Sequence, residues 1–127
     1  MNDEQHYNDG LRVRRAVLGN EHVDRSISNR TALTEDFQKF ITRYAWGEIW
    51  TREGLPRHTR SLLTIAMMVA LNRQEELALH LRQAGSNGVS PEEIKEVLMQ
   101  TAIYCGVPAA NSAFHLLQDI LESEARR

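Results

Sequence analysis

The amino-acid sequence predicts an all-α protein, a bundle of about six helices. Apolar residues recur three and four positions apart along almost the whole chain, which is the period of a helix buried on one side. No stretch shows the alternation of apolar and polar residues that marks a half-buried strand. A length of 127 residues is typical of one domain. We therefore expect residues 1–127 to form a single domain, with a helix and a crossing loop over 1–33 and the core helices over 34–124.

The first 33 residues are predicted to hold one helix and a loop. The segment EQHYNDGLRVRRAVLG has helical spacing, is weakened by Gly10 and is expected to end near Gly19. The following segment, NEHVDRSISNRTAL, is polar and irregular. We predict that it is an ordered crossing loop, anchored by Val23 and Ile27.

A second helix is predicted to begin after Thr34. Threonine is a favourable N-cap residue, and Glu35 and Asp36 place negative charge at the positive end of the helix. Helical spacing then predicts an inward face made of Phe37, Phe40, Ile41, Tyr44 and Trp46.

The next predicted helix is almost entirely apolar. Pro56 stands where the first residue of a helix is often proline, and the helix is expected from about His58 to Leu71. After Ser61 it contains no charged residue. A helix that is apolar on most sides is covered on most sides. We therefore predict that it contributes to a subunit interface as well as to the core.

Capping residues predict the remaining helices. Asn72 and Glu75 resemble a capping box, and the glycines at 85 and 88 are expected to end that helix. The segment SPEE (90–93) is a stronger start signal, and Pro108 can open a last helix after the break at YCGVP. The inward residues of these two helices are expected to be Ile94, Val97, Leu98, Ala102, Ile103, Ala110, Phe114, Leu117 and Leu121.

Composition excludes several classes of protein. A net charge of −2 gives no general attraction to nucleic acid or to acidic lipid. No apolar run approaches the roughly 18–20 residues of a membrane span, and the polar N-terminus lacks the apolar core of a signal peptide. The single cysteine, Cys105, excludes an intramolecular disulfide and a multi-cysteine zinc site. These features predict a cytoplasmic protein without nucleic-acid or membrane partners.

The segment NRQEELALHLRQAG contains the first candidate for chemistry. On a helix, His80 borders the apolar stripe of Leu77, and Glu76 and Arg73 precede it on the same side. A histidine can titrate near neutral pH, and a neighbouring carboxylate can fix its tautomer. The alternative is an ordinary surface pair of Glu76 and His80, four residues apart. The pattern alone favours this alternative.

Two further segments invite a functional interpretation. Cys105 lies near a predicted helix C-terminus, which does not favour a thiolate, so we interpret it as a small buried apolar residue. Arginines beside aromatic residues suit a planar carboxylate ligand. The segment WGEIWTREGLPRHTRS has this composition, with Trp46, Glu48, Trp50, Arg52, Arg57, His58 and Arg60. No metal-ligand spacing, phosphate-binding loop or nucleotide-binding motif occurs, so we predict no metal site and no nucleotide site.

Three long segments resemble the 4-carboxymuconolactone decarboxylase family. They are RRAVLGNEHVDRS, YAWGEIWTREGLPRHTRSLLTIAMMVALNRQEELALH and EVLMQTAIYCGVPAANSAFH. The wider superfamily includes the alkyl hydroperoxidase D proteins, which use a Cys-x-x-Cys-x-x-x-His motif and an upstream glutamate. If His80 is matched to that histidine, Arg73 and Glu76 replace the two cysteines and Ser61 replaces the glutamate. The resemblance therefore implies the alkyl hydroperoxidase D-like fold without its redox centre.

The resemblance implies a cofactor-free decarboxylase that assembles as a trimer or a hexamer. It implies conversion of 4-carboxymuconolactone to 3-oxoadipate enol-lactone and carbon dioxide, in protocatechuate catabolism through the β-ketoadipate pathway. We expect His80 to act as general acid or oxyanion donor, Glu76 to orient it, and Glu48 to act electrostatically or as an alternative proton donor. The substrate-binding residues are expected to be Arg60, Arg52, Arg73, Trp46 and Trp50. The rival hypotheses are a hydroperoxidase-like redox protein that uses Cys105 and a non-catalytic helical oligomer.

Overall fold

The computed structural model describes residues 2–127, and within this range every regular element is a helix. The α-helices are α1 (Asp3–Leu18), α2 (Asn20–Ser28), α3 (Glu35–Ile41), α4 (Arg57–Ala70), α5 (Gln74–Gln83), α6 (Pro91–Tyr104) and α7 (Val107–Ala125). Helix α3 continues as a π-helical segment over Thr42–Ile49, and a 3₁₀ turn spans Gly85–Asn87. The all-α prediction is confirmed. None of the helices over residues 2–127 is long and apolar enough to cross a membrane.

Internal contacts divide the chain into two compact units. The first ends at Pro56 and contains α1, α2, α3 and the π-helical segment. The second is Arg57–Arg127 and contains α4 to α7.

Helix α1 has the boundaries that its sequence predicts. The Asn2 side chain accepts a hydrogen bond from the Gln5 amide (2.8 Å), and the Gln5 side chain accepts one from the Asn2 amide (3.0 Å). This reciprocal capping box satisfies two amides of the first turn. The helix ends at Leu18, and Gly19 follows with a φ of 90°, a value that glycine adopts without strain.

The predicted crossing loop is wrong over residues 20–28, which form helix α2. The segment is polar because most of its surface faces water, and ion pairs support it. Arg25 pairs with Glu21 one turn away (2.9 Å), and Arg15 of α1 pairs with Asp24 (2.8 Å). The predicted anchor Val23 is fully buried. A single apolar contact row and charged pairs are therefore enough to hold a short helix against α1.

Two glycines bring α1 into backbone contact with the π-helical segment. A Cβ atom on Gly10 would collide with the carbonyl oxygen of Thr42 and would lie 2.8 Å from the amide nitrogen of Gly47. A Cβ atom on Gly47 would collide with the carbonyl oxygen of His6. Gly10 therefore does not simply weaken α1, as its helix propensity suggests, because it permits the closest packing in the first unit.

The predicted inward face of α3 is only partly correct. Trp46 is buried, but Phe37, Phe40 and Tyr44 are 59%, 50% and 47% exposed. The Thr34 side chain also does not cap the helix, because its hydroxyl accepts a hydrogen bond from the amide of Thr31 (3.0 Å). The three aromatic residues form a row on the surface of the first unit.

The second unit has a continuous apolar core to which α4, α5, α6 and α7 all contribute. Its members include Ile65, Val69, Leu77, Leu81, Leu98, Ala113, Leu117 and Ile120. Two predictions are wrong here. Asn72 is not an N-cap, because it has a φ of 56° and α5 begins two residues later, after Arg73. In the inward faces of α6 and α7, Ile103 and Leu121 were expected inside but are 79% and 37% exposed.

Helix α6 begins with the predicted capping box, and His58 extends it. The Ser90 hydroxyl accepts from the Glu93 amide (3.1 Å), and Glu93 Oε1 accepts from the Ser90 amide (3.0 Å). The other oxygen, Oε2, lies 2.6 Å from His58 Nε2 at the start of α4. These groups lower the pKa of Glu93, with the Ser90 amide contributing most and the His58 hydrogen bond second. One carboxylate thus joins the first turns of α4 and α6.

The Glu93 carboxylate should make the free energy of unfolding depend on pH in the acidic range. Since its pKa is lower in the folded protein, its contribution is complete above its unfolded value of about 4.3 and is lost as the pH falls through the folded value. We expect Glu93→Gln to lower the melting temperature at pH 6 and to approach the wild type as acid protonates Glu93 in the folded protein. Thermal unfolding by circular dichroism measures this, with Glu92→Gln as the exposed neighbouring control. A constant difference between wild type and Glu93→Gln at all pH values would contradict the assignment.

Candidate active site

His80 lies on the buried side of α5. It is 9% exposed, and its neighbours on this helix, Leu77, Ala78 and Leu81, belong to the core. It also stands in the last turn of α5, where the negative end of the helix favours a positively charged side chain. His80, a side chain able to donate a proton, therefore lies where water has little access. It is not the exposed partner in a surface pair with Glu76, which was the alternative that the sequence pattern favoured.

Arg73 and Glu76 extend from His80 toward the N-terminus of α5. Seven residues separate Arg73 from His80, so the two lie on nearly the same side of the helix, roughly 10 Å apart along its axis. Both Arg73 and Glu76 are exposed, whereas His80 is buried. The orienting role of Glu76 stays a prediction. Arg73, Glu76 and His80 form a polar row along α5 that leads from the surface to the buried histidine.

Helix α4, which packs against α5, carries Arg60 and Ser61 in its first turns. Arg60 is half-buried, and Ser61 is fully buried. The Ser61 hydroxyl has no hydrogen-bond partner among residues 2–127. A buried hydroxyl usually has a hydrogen-bond partner. The Ser61 hydroxyl is therefore available to bond a bound molecule, on a helix whose later residues are almost all apolar. Arg60, Ser61 and the polar row of α5 thus all belong to the second unit.

The other predicted site residues belong to the first unit. Trp46 and Trp50 stack with their ring centroids 5.1 Å apart and their planes 25° apart. Trp46 is buried and Trp50 is half-buried. Glu48 and Arg52 are exposed. The sequence cluster is therefore divided between a tryptophan pair that packs internally and two charged side chains that face water.

An apolar groove of about 370 Å³ lies between α4 and α6 in the second unit. None of the eight predicted site residues lines it. Cys105 does, at the C-terminal end of α6, together with Thr59, Leu62, Leu63, Ala66, Val97, Gln100, Thr101 and Tyr104. No Lys, Arg or His side chain belongs to this lining, so no cationic group there can stabilise a thiolate. The groove has the character of a contact surface.

Sequence reasoning missed one buried charged residue, Arg14. It is 5% exposed in the middle of α1. Its neighbours in the sequence, RRAV, gave no signal beyond a basic pair on a helix.

Among residues 2–127, no three His, Cys, Asp or Glu side chains are placed to hold a metal ion together.

Comparison with known proteins identifies related sequences. The profile of the Carboxymuconolactone decarboxylase family matches residues 35–119. A 4-carboxymuconolactone decarboxylase of Acinetobacter baylyi is 52% identical over 122 residues, 96% of this chain and 91% of the relative. A nitrosuccinic acid decarboxylase of Metarhizium robertsii is 42% identical over 120 residues, 92% of this chain and 84% of the relative. A 4-carboxymuconolactone decarboxylase sequence of Pseudomonas putida is 46% identical over 48 residues, which is 38% of this chain and all of that sequence.

Proposed function

Because the chain belongs to the carboxymuconolactone decarboxylase family, we propose that it decarboxylates 4-carboxymuconolactone to 3-oxoadipate enol-lactone. The observation that carries this proposal is the 52% identity to the Acinetobacter decarboxylase over nearly the full length of both chains. The family match and the second decarboxylase relative support a carboxy-lyase of the same class. This step belongs to protocatechuate catabolism by the β-ketoadipate pathway, and we place the enzyme in the cytoplasm.

The substrate supplies its own electron sink. When the bond between the carboxyl carbon and the ring breaks, the electron pair passes through the ring double bond to the lactone carbonyl oxygen, and carbon dioxide leaves. A proton then returns to carbon as the carbonyl re-forms. The protein has to stabilise the oxyanion, deliver that proton and keep water from the leaving carboxylate.

His80 is the residue that best meets these needs. It is buried among apolar side chains in the last turn of α5. A protonated imidazole can donate a hydrogen bond to the developing oxyanion and then transfer its proton to carbon. Glu76, on the preceding turn, is proposed to orient the ring once substrate is bound. Glu48 is proposed as an electrostatic contributor or an alternative proton donor.

The substrate carries two carboxylates, one that leaves and one that stays. Arg60 and Arg73 of the second unit are proposed to bind the retained carboxylate, and Arg52 with the Trp46–Trp50 pair is proposed as a further contact. Too strong a grip on the leaving carboxylate would stabilise the ground state and slow the reaction. A half-buried Arg60 and an exposed Arg73 suit the retained group, since it can keep part of its contact with water.

Assembly of several copies is proposed from the surface of the second unit. Leu63 and Met67 are exposed on α4, Leu71 is exposed directly after its end, and the segment 61–71 contains no charged residue. Ile103 and Tyr104 are exposed on α6, beside the groove. Apolar patches of this kind are usually covered by protein, and most assemblies are of identical copies. Sedimentation equilibrium should give a multiple of 14.5 kDa, with a trimer or hexamer expected. A stable monomer at micromolar concentration would contradict it.

The decisive experiment supplies freshly generated 4-carboxymuconolactone and measures release of carbon dioxide. Nitrosuccinic acid, the substrate in the name of the Metarhizium relative, is tested in parallel. We expect turnover of the lactone with a much higher kcat/KM than nitrosuccinic acid, and full retention of activity in Cys105→Ser. Preference for nitrosuccinic acid would reassign the substrate. Peroxide reduction that disappears in Cys105→Ser would support the redox rival, and no turnover of either acid would support a non-catalytic oligomer.

A further inference from the structure

Arg14 is a buried cation whose hydrogen bonds are all to neutral groups. Its Nη1 donates to Gln38 Oε1 (3.2 Å) and to Thr42 Oγ1 (3.4 Å), both in α3 and its π-helical continuation. Its Nε is buried and has no acceptor among residues 2–127. Removing a guanidinium from water is costly unless an anion compensates its charge. The described part of the chain offers no carboxylate to this residue.

Three acids of the first unit pair with arginines other than Arg14. Exposed or half-buried arginines of α1 and α2 each contact a carboxylate at 2.8–2.9 Å: Arg12 with Asp9, Arg15 with Asp24, and Arg25 with Glu21. The pattern is the reverse of what stability alone favours, since exposed ion pairs contribute little. Arg14, the most buried arginine of the unit, has no ion pair with an acid among residues 2–127.

A second arginine adds to the uncompensated charge. Arg30 is half-buried, its Nη2 donates to the Tyr7 hydroxyl (3.0 Å), and its guanidinium carbon lies 5.9 Å from the centroid of the Tyr7 ring. Its Nε is also buried without an acceptor among residues 2–127. Burial lowers the pKa of Arg14, and the positive charge of Arg30 lowers it further, while Tyr7 acts in the opposite direction. Tyr7 and Arg14 both belong to α1 and lie seven residues apart, so Arg30 contacts the side of α1 that carries Arg14.

We propose that Arg14 and Arg30 bind a small oxyanion, a carboxylate or a phosphate, in the first unit. Since Nη1 of Arg14 is held by Gln38 and Thr42, its Nε and Nη2 remain to donate two parallel hydrogen bonds. The Tyr7 hydroxyl accepts from Arg30 and can donate its own proton to the same anion. The anion would offset both the burial of Arg14 and its repulsion by Arg30. None of these residues belongs to the reaction proposed above, so this site stands independently of it.

The test measures anion binding without any substrate. Adipate, inorganic phosphate and sodium chloride are titrated at equal ionic strength by calorimetry and by thermal unfolding, in a buffer free of carboxylate and phosphate. We expect saturable stabilisation by adipate or by phosphate and none by chloride. Arg14→Lys, which keeps the charge but loses the forked donors, and Arg30→Gln should each weaken binding about 10- to 100-fold. The control Arg12→Gln removes an exposed, acid-paired arginine and should bind as the wild type does.

A separate readout distinguishes this site from a purely structural arginine. Without added anion, Arg14→Met should melt at the same temperature as the wild type or higher, because it removes a buried charge that lacks a partner. A response to adipate alone identifies a carboxylate site, and a response to phosphate alone identifies a phosphate site. The proposal is overturned if neither anion gives saturable stabilisation, or if Arg30→Gln and Arg14→Lys respond like the wild type. Should Arg14→Met fail to fold, the Arg30→Gln comparison still decides.

Discussion

Replacing His80 with glutamine should lower kcat for 4-carboxymuconolactone by about 10²- to 10⁴-fold, the range typical for loss of a general acid. Glutamine retains a hydrogen-bond donor of similar size but cannot transfer a proton, so the loss should fall mainly on kcat and less on KM. Steady-state kinetics of the purified variant measures this, with near-ultraviolet circular dichroism to verify that the buried substitution leaves the packing intact.

Two comparison variants make this result specific. His115→Gln changes an exposed histidine of α7 and should leave turnover unchanged. Glu48→Gln tests the alternative proton donor of the first unit, and it should cost less than His80→Gln. Near-normal turnover in folded His80→Gln would show that His80 is not the general acid. A larger loss of activity in Glu48→Gln than in His80→Gln would assign the role of proton donor to Glu48.

Replacing Gly47 with alanine should destabilise the first unit by about 1–3 kcal/mol or more, as overpacking does. In an ordinary helix this change stabilises by up to about 1 kcal/mol. The sign is reversed here because the new methyl group would meet the carbonyl oxygen of His6, a backbone atom that cannot rotate away. Gly10→Ala should act in the same direction through the carbonyl of Thr42. Urea unfolding measures both.

The control is Gly54→Ala, where an added Cβ meets nothing within 4 Å. It should change stability by less than about 0.5 kcal/mol. Since Gly10 and Gly47 lie in one interface, the double variant should be less destabilised than the sum of the single variants. Stability of Gly47→Ala equal to that of the wild type would mean that α1 and the π-helical segment can separate at little cost.

Helical periodicity and capping residues predicted most of the fold correctly. The capping box at Ser90 and the end of α1 near Gly19 are local features, and local residues determine them. Helix α2 was missed because its stability comes from ion pairs and from one contact with α1, neither of which changes the polar appearance of the segment. The capping box at Asn72 was wrong because Asn72 itself has a φ of 56° and lies between the end of α4 and the start of α5.

The apolar pattern also could not show which apolar side chains would face water in a single chain. Phe37, Phe40 and Tyr44 have the spacing of a buried face, and yet the first unit leaves them exposed. Periodicity identifies a face that needs a partner and does not say whether the same chain supplies it. Leu63 and Met67 of α4 are exposed as well. There the sequence was more informative, because a helix that is apolar on most sides predicts a subunit interface.

For the candidate site, position along α5 was predictable and burial was not. The spacing of Arg73, Glu76 and His80 placed them on one side of a helix, but whether His80 faced the core depended on how α5 packs. The burial of Arg14 could not be predicted for the same reason. A basic residue in a polar helix gives no signal until the helix that covers it is known, and here that cover is α3 with its π-helical continuation.

The π-helical segment makes the number of residues as important as their identity. The amide of Trp50 donates to the carbonyl of Ala45, five residues back, at 3.1 Å, so each wide turn holds one residue more than an α-turn. Deleting one residue between 42 and 49 would allow ordinary α-turns and would rotate the following residues by about 100° about the helix axis. A related chain that is one residue shorter here would therefore aim its second tryptophan and the adjoining charged residues elsewhere, even with every remaining amino acid unchanged.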